Sequence, residues 1–195
     1  MTANDSYDRH FHRTDWQALY ERQKQRAQDS LIWLDRLNLT PGDTLIDVGT
    51  GPGFVAIQAV PYVTRSGKIY AVDQAQGAID QLKKQNPFPY IIEPILAPGD
   101  AIPLKDGLAQ AVLMANVLHH LENPKHLIVE AKRLLAPTGR LLLVEFDPEG
   151  PTDFGPPQKE RMSLDTATEL LTSSGFTHTQ TFLQKPIWYT LLATR

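Results

Sequence analysis

The segment Leu45–Phe54 combines the residue types that favour a site for a nucleotide-like ligand. Asp47 is followed by three glycines at alternate positions, Gly49, Gly51 and Gly53. Because glycine has no Cβ atom, the backbone can turn sharply there and approach a ligand closely. A strand, a glycine turn and a helix N-terminus form the usual nucleotide-type site of an open α/β sheet. The segment therefore predicts such a site at the end of a buried strand.

The spacing of these glycines narrows the class of ligand. A dinucleotide fingerprint reads Gly-x-Gly-x-x-Gly, and Phe54 stands where its third glycine belongs. The Gly-Lys-Ser/Thr sequence of a phosphate-binding loop does not occur. The pattern that remains, Asp-x-Gly-x-Gly-x-Gly, resembles motif I of the class I S-adenosylmethionine (SAM) dependent methyltransferases. An NAD-dependent oxidoreductase is the less favoured alternative.

Alternating strands and helices must position this loop. The pattern predicts five strands, which are Thr44–Val48, Lys68–Val72, Ile91–Leu96, Gln110–Ala115 and Gly139–Phe146. Helices are predicted from Asp15 to about Leu37 and over Gly53–Val60, Ala75–Gln85, Pro124–Ala136 and Ser163–Ser174. Strands that alternate with helices at these spacings favour a parallel, doubly wound sheet.

The C-terminal part of the chain changes character. Two glycines and four prolines in Pro148–Pro157 predict a long loop. Phe176–Gln184 and Ile187–Ala193 read as strands separated by Lys185-Pro186, which predicts an antiparallel hairpin. The expected fold is thus a three-layer α/β/α sandwich with a Rossmann-like, seven-stranded sheet. We expect one domain over residues 1–195, with a helical lid at 1–38 and a substrate-side loop at 147–162.

Composition excludes several classes of function. With 42% hydrophobic residues the chain can bury a core, and its net charge of −3 offers no general basic field to nucleic acid. It has no cysteine, which removes disulfides, thiolate metal sites and cysteine nucleophiles. The N-terminus shows no export signal, and no apolar run approaches the ~18 residues of a membrane span. We expect a cytoplasmic protein without a membrane span, and a homodimer is compatible with the sequence.

The resemblance to the methyltransferases extends from about Leu39 to the end of the chain and implies SAM as the cofactor, with S-adenosylhomocysteine (SAH) as its product. It places the glycine loop against the methionyl and ribose portions of SAM. It also implies that Asp47 orients this loop. The alternative for Asp47 is a cap of the loop. The full set of cofactor-binding residues that it implies is Asp47, Gly49, Thr50, Gly51, Gly53, Phe54, Asp73, Gln74, Asp100, Ala101, Asn116 and Val117.

Further carboxylates follow later strands. Asp73, at the end of the second strand, can accept hydrogen bonds from both ribose hydroxyls, and its alternative role is a helix N-cap. By resemblance, Gln74 borders the adenine, Asp100 accepts from the adenine amino group and the amide of Ala101 meets a ring nitrogen. Asn116 is implied to lie under the cofactor, near its sulfonium.

His119 and His120 are the candidate catalytic residues. Adjacent side chains are not expected to face the same way, so one of them acts as a base or contacts the substrate. The alternative is a structural hydrogen bond at the start of a helix. His126 is expected at the surface. We predict no metal site, because no carboxylate cluster accompanies these histidines, and His10 and His12 suit a solvated arm better than a metal pair.

Substrate recognition in this family lies in the N-terminal helix and in the insertion after the fifth strand. Trp16, Tyr20, Phe11 and Phe154 are candidates for the wall of an apolar pocket, and the alternative for Trp16 and Tyr20 is simple packing onto the sheet. Arg161 either pairs with an acidic substrate group or caps a loop. The loop resembles that of quinone-type C- and O-methyltransferases.

The predicted function is transfer of a methyl group from SAM to a small-molecule acceptor of the ubiquinone/menaquinone-biosynthesis type. A catalytically silent SAM-binding or partner protein is the main alternative. Asn86–Tyr90 looks like the Asn-Pro-Pro-Tyr motif of nucleic-acid methyltransferases. That motif must follow the fourth strand, whereas this segment precedes the third, so it predicts a helix stop and no nucleic-acid partner.

Overall fold

The computed structural model describes residues 14–184 and 186–195. Within them, a seven-stranded sheet has the order β3-β2-β1-β4-β5-β7-β6. β1 to β5 run parallel, and β7 pairs antiparallel with both β5 and β6. The strands are β1 Thr44–Val48, β2 Lys68–Asp73, β3 Ile92–Leu96, β4 Ala109–Ala115, β5 Leu135–Phe146, β6 Thr177–Gln184 and β7 Trp188–Thr194.

Helices cover both faces of the sheet. They are α1 Trp16–Gln25, α2 Ala27–Leu37, α3 Phe54–Val63, α4 Gln76–Gln85, α5 Pro124–Leu134 and α6 Leu164–Ser173, with 3₁₀ turns at Leu118–His120 and Gln158–Glu160. Successive residues of β1 point to opposite faces, so Ile46 and Val48 join one buried cluster while Leu45 joins the other. The predicted three-layer α/β/α fold and its C-terminal antiparallel hairpin are confirmed.

The prediction of one continuous N-terminal helix is wrong. The chain leaves helical geometry at Arg26 (φ −112°, ψ 27°), which separates α1 from α2. The break rotates α2 so that Ser30, Trp33, Leu34 and Leu37 are buried, whereas α1 buries none of its residues. In one unbroken helix the apolar residues would form a single continuous stripe. The two segments could then not each pack against the surface that they cover in the structure.

The prediction of the fifth strand was too short. β5 begins at Leu135 rather than Gly139, and α5 correspondingly ends at Leu134 rather than Ala136. Leu135 pairs with Ala109 of β4 across an irregularity in the ladder, a long-range contact that a local pattern does not reveal. In the described part of the chain, no helix is long and apolar enough to cross a membrane.

Candidate active site

A pocket lies at the carboxyl ends of β1, β2, β3 and β4, the edge where open α/β sheets bind ligands. The parallel register brings the loops after these strands together. Six residues predicted from the sequence line this pocket, namely Gly49, Asp73, Gln74, Asp100, Val117 and His120. The fold therefore gathers residues that lie up to about seventy positions apart in the sequence.

Gly49 adopts a conformation and a packing that exclude a larger residue. Its φ is +71°, and a Cβ atom there would lie 2.4 Å from Cγ2 of Val117. The amides of Gly49 and Thr50 both donate to the carbonyl of Val72, at 2.8 and 3.0 Å. These two bonds attach the loop after β1 to the end of β2, so the wall of the pocket depends on the missing side chain at position 49.

We expect Gly49→Ala to lower the free energy of unfolding by about 3 kcal/mol, from the left-handed backbone and the collision with Val117. Gly51→Ala is the matched control, because φ is +55° there and no atom lies within 4 Å of the added Cβ. It should lose only about 1 kcal/mol. Urea denaturation without ligand measures both, and equal losses would contradict the proposed collision.

Asp73 is a buried carboxylate held by backbone amides. Its Oδ2 accepts from the amide of Gly51 at 2.8 Å, and its Oδ1 accepts from the amide of Ala75 at 2.9 Å. Burial raises the pKa of Asp73, and the hydrogen bonds from Ala75, Gly51 and Gln74 oppose that rise. The N-cap residue of α4 is Ala75, so Asp73 is not the N-cap itself. It instead ties the glycine loop to the turn that begins α4.

Asp47 lies beneath the loop and outside the pocket lining. It is 2% exposed, and its Oδ2 accepts from the hydroxyl of Thr50 at 2.7 Å. Burial raises the pKa of Asp47 to about 6, the Thr50 hydroxyl opposes this, and the charge of Asp73 adds to it. The structure thus gives Asp47 the role of a cap of the loop, while a contact with the ligand stays a prediction.

Gly53 and Phe54 face the core. A Cβ atom at Gly53, whose φ is +84°, would lie 2.2 Å from a methyl carbon of Leu82. The Phe54 ring is buried and meets the Tyr20 ring edge to face, with centroids 5.3 Å apart. The side chain of Phe54 belongs to the helix-packing core and does not line the pocket, so its contact with the cofactor stays a prediction.

The loops after β3 and β4 contribute differently from the prediction. Asp100 borders the pocket with its side chain exposed, but the amide of Ala101 donates to the carbonyl of Pro98 at 3.2 Å and Ala101 does not line the pocket. Asn116 has a left-handed backbone (φ +60°). Its Oδ1 is buried and has no hydrogen-bond partner among the described residues. Asn116 does not line the pocket, so its predicted contact with the cofactor stays a prediction.

The two adjacent histidines lie against each other. Their ring centroids are 3.9 Å apart, so the expectation that they face different ways is wrong. The 3₁₀ turn at 118–120 curls the chain tightly enough to bring both rings to one side. The His119 side chain is 3% exposed, and its Nδ1 lies 2.7 Å from Oε2 of Glu145. Only His120 lines the pocket.

Glu145 is the main residue that the sequence analysis missed. It is fully buried at the end of β5, where Oε1 also accepts from the amide of Leu118 at 2.7 Å. Its signal in the sequence was a single carboxylate inside the apolar run Leu141–Phe146. Leu121, Glu122, Asn123, His126 and Leu127 also line the pocket, and His126 is exposed, as predicted. Their signal is their place directly after the fourth strand.

Trp16 and Tyr20 pack α1 onto the neighbouring helices. A Cβ atom at Gly77 would lie 2.5 Å from Nε1 of Trp16, and Tyr20 meets Phe54. Neither residue lines the pocket, so the packing alternative describes their positions. Phe154 also lies outside it, between Phe146 and Trp188, with ring centroids 5.6 and 6.0 Å away. Phe11, His10 and His12 lie outside the described residues.

Arg161 caps the loop after β5, which is one of its two predicted roles, and a contact with an acidic substrate group stays a prediction. Its guanidinium donates to the carbonyls of Pro156, Asp147, Pro151 and Phe154, at 2.7 to 2.9 Å. The residue is 7% exposed, so these bonds already use most of its donors in the interior of the loop. Within the described ranges, no group of three or more His, Cys, Asp or Glu side chains is placed to hold a metal ion.

The family model described as a methyltransferase domain matches residues 46–143, half of the chain. Among curated proteins, the chain is 29% identical over 123 residues to the demethylmenaquinone methyltransferase of Renibacterium salmoninarum, covering 63% of this chain and 48% of that protein. It is 28% identical over 114 residues to the ubiquinone/menaquinone biosynthesis C-methyltransferase UbiE of Geotalea uraniireducens, covering 57% and 48%. The chain thus spans about half the length of these relatives.

A solved structure agrees with the fold over most of the chain. The SAM-dependent methyltransferase from Aquifex aeolicus superposes with a TM-score of 0.79 at 27% identity, covering 85% of this chain and 89% of that one. The matched family region contains the glycine loop, Asp73, Asp100 and the turn after β4. On its sequence, its fold and the place of its pocket, the chain belongs to the class I SAM-dependent methyltransferase family.

Proposed function

We propose that this chain binds SAM in the pocket at the carboxyl edge of the sheet and transfers its methyl group to a small-molecule acceptor. One observation carries the proposal: the carboxylate of Asp73 lines the pocket and holds the amide of Gly51, within a loop that a Cβ at Gly49 would disrupt. This arrangement places an anionic acceptor beside a backbone that a ligand can approach closely.

The residues present fit the polar groups of SAM. Asp73 supplies a carboxylate for ribose hydroxyls, and Asp100 supplies one for an amino group on the adenine side. Asn116 Oδ1 is a buried acceptor without a partner in the described residues, and the ammonium of the methionyl portion is a donor that would satisfy it. Gly49, Gln74 and Val117 complete the wall, with Thr50 and Asp47 supporting the loop from below.

SAM, when bound, supplies the electrophilic methyl group. The residues of this chain bind and orient the two reactants and exclude water between them, an alignment that is worth roughly 7–11 kcal/mol in favourable cases. The apolar residues Val48, Val72, Ala97 and Leu127 line the pocket beside the carboxylates, which lowers the local polarity and strengthens each hydrogen bond.

The acceptor class is supported by the relatives and by the aromatic residues near the loop after β5. Two relatives carry names of methyltransferases that act in menaquinone or ubiquinone synthesis. Phe146, Phe154 and Trp188 form an aromatic group, and the guanidinium of Arg26 lies 3.7 Å from the centroid of the Phe154 ring. Phe146 and Trp188 are buried and Phe154 is half-buried, so Phe154 is the ring of this group that a flat, conjugated acceptor such as a quinol or a phenol would meet.

Binding and transfer assays test the proposal in two steps. In calorimetric titrations, we expect SAH to bind and NADH not to bind, and binding of NADH alone would support the oxidoreductase alternative. With tritiated methyl-SAM and a panel of quinols, phenols and amines, we expect radiolabel in at least one acceptor. SAH binding without transfer to any of them would favour the silent SAM-binding protein. A cytoplasmic location and a homodimer stay predictions, tested by cell fractionation and light scattering.

A further inference from the structure

The loop after β3 forms one wall of the pocket with residues that lack regular secondary structure. Ala97, Pro98, Gly99 and Asp100 line the pocket, and the loop continues to residue 108 before β4 begins. Asp100 is exposed, and its carboxylate forms no hydrogen bond with the described residues. The direction of this carboxylate is therefore set by the backbone of the loop, whose own polar groups need partners from elsewhere in the chain.

Helix α5 forms the adjoining wall of the pocket. His126 and Leu127, in the first turn of this helix, line the pocket beside the loop. The two walls approach each other closely, because a Cβ atom at Gly99 would lie 2.8 Å from Cδ1 of Leu127. Glu130 follows Leu127 by three residues, so it lies on the same face of the helix and also reaches the loop.

Arg133 uses all five of its N–H donors to bind Glu130 and the loop. Its Nε and Nη2 donate to the two carboxylate oxygens of Glu130, each at 2.7 Å. The other three bonds, at 2.6 to 3.0 Å, go to the carbonyls of Ile102 and Leu104 and to the carboxylate of Asp106. Glu130 Oε1 also accepts from the amide of Ile102 at 2.8 Å. The Glu130–Arg133 pair thus connects the loop after β3 to α5.

Glu130 stays charged although it is buried. Its side chain is 10% exposed, and the hydrogen bond from Arg133 lowers the pKa of Glu130 against the opposite effect of burial. Either charge alone would be costly to keep in this position, so the two side chains and the loop groups that they bind hold one arrangement. The forked geometry of the guanidinium fixes this arrangement in a way that a point charge does not.

We propose that Glu130 and Arg133 are positioning residues that hold the carboxylate of Asp100 at the amino group of the cofactor's base and thereby determine the selectivity for adenine. This role rests on the proposed function, in which Asp100 accepts from that amino group. The 6-amino group of adenine donates a hydrogen bond, whereas hypoxanthine has a carbonyl oxygen there, which only accepts. A carboxylate held in place therefore favours adenine, and one that is free to turn away discriminates less, because it escapes the repulsion between two acceptors.

Calorimetric titrations of the full chain with SAH and with S-inosylhomocysteine, its hypoxanthine analogue, measure this selectivity. The wild type is expected to prefer SAH by about 30-fold, the effect of one hydrogen bond to a charged group. In Glu130→Gln and in Arg133→Lys the preference should fall to about threefold. The glutamine keeps an acceptor for the Ile102 amide but loses the charge, and the lysine keeps the charge but loses the fork. Melting temperatures show that the variants are folded.

Two further variants separate positioning from stability. Asp100→Asn should reduce the preference to about threefold by itself, since an amide can accept or donate, and adding Glu130→Gln to it should cause no further change. Lys132→Met is the matched control. Lys132 also lies on α5 and binds backbone carbonyls, those of Ser174 and Gly175 at 3.1 and 2.6 Å, but these two residues do not line the pocket. This variant should keep the full preference for SAH even where its melting temperature falls.

The outcomes distinguish this role from the proposed function. If the wild type binds neither compound, the proposed function fails. If it binds both equally, Asp100 does not bind the amino group, and the positioning role is refuted while SAM binding stands. An unchanged preference in Glu130→Gln and Arg133→Lys, or an equal loss in Lys132→Met, would also refute this role. Weaker binding of both compounds at an unchanged ratio would show that the pair only stabilises the loop.

Discussion

Asp73→Asn is expected to weaken the binding of SAH by about 100-fold, because a hydrogen bond to a charged group contributes roughly 1.5–3 kcal/mol and two ligand hydroxyls are proposed to share this carboxylate. The substitution also disturbs the protein before any ligand binds, and this adds to the loss of affinity for SAH. Both oxygens of Asp73 already accept from backbone amides, those of Gly51 and Ala75. The NH₂ group of an asparagine must therefore face one of these donors, which disturbs the glycine loop that forms the wall of the site.

Calorimetric titration with SAH measures the affinity, and the melting temperature of the free variant shows whether it is folded. Asp80→Asn is the control, since Asp80 is exposed on α4 and the substitution changes the net charge equally. We expect it to bind SAH like the wild type. An affinity of Asp73→Asn within about threefold of the wild type would contradict the ribose role of Asp73.

Asp47→Asn is expected to stabilise the protein at pH 8 by about 2 kcal/mol. The pKa of Asp47 is about 6 in the folded state, against an ordinary value of 3.8. The folded chain therefore binds the proton more tightly than the unfolded chain, and stability falls as the pH rises through this window. A shift of this size corresponds to about 3 kcal/mol above pH 6, of which about 1 kcal/mol is offset by a buried, unpaired amide N–H of the asparagine.

The pH dependence distinguishes this cause from others. Urea denaturation should show the advantage of Asp47→Asn at pH 8 and its progressive disappearance towards about pH 3, where the wild-type carboxyl is mostly protonated in both states. The Thr50 hydroxyl can donate to the asparagine carbonyl as it does to Asp47, so that contact is kept. Asp153→Asn, at an exposed position of the loop after β5, should show no such change. A stabilisation that does not depend on pH would contradict the explanation.

Parts of the fold and of the site depend on short-range patterns, and these could be predicted from the sequence. The strand–glycine loop–helix unit at 44–63 depends on neighbouring residues, because the positive φ values at Gly49, Gly51 and Gly53 suit glycine. Asp73 and Asp100 were located by their place after strands, and the C-terminal hairpin by two strand-like runs close together. For the same reason the parallel sheet, the position of the pocket and the family were predictable.

The tertiary structure alone decided what the individual side chains contact. The pairing of Glu145 with His119 joins residues 26 positions apart and depends on the register between β4 and β5. Arg161 turned inward to bond four carbonyls because its loop folds around it, and Phe54 turned into the core because α3 packs beneath Tyr20. Periodicity predicts which face of an element is buried, but the partner of a buried polar group is set by how separate elements pack.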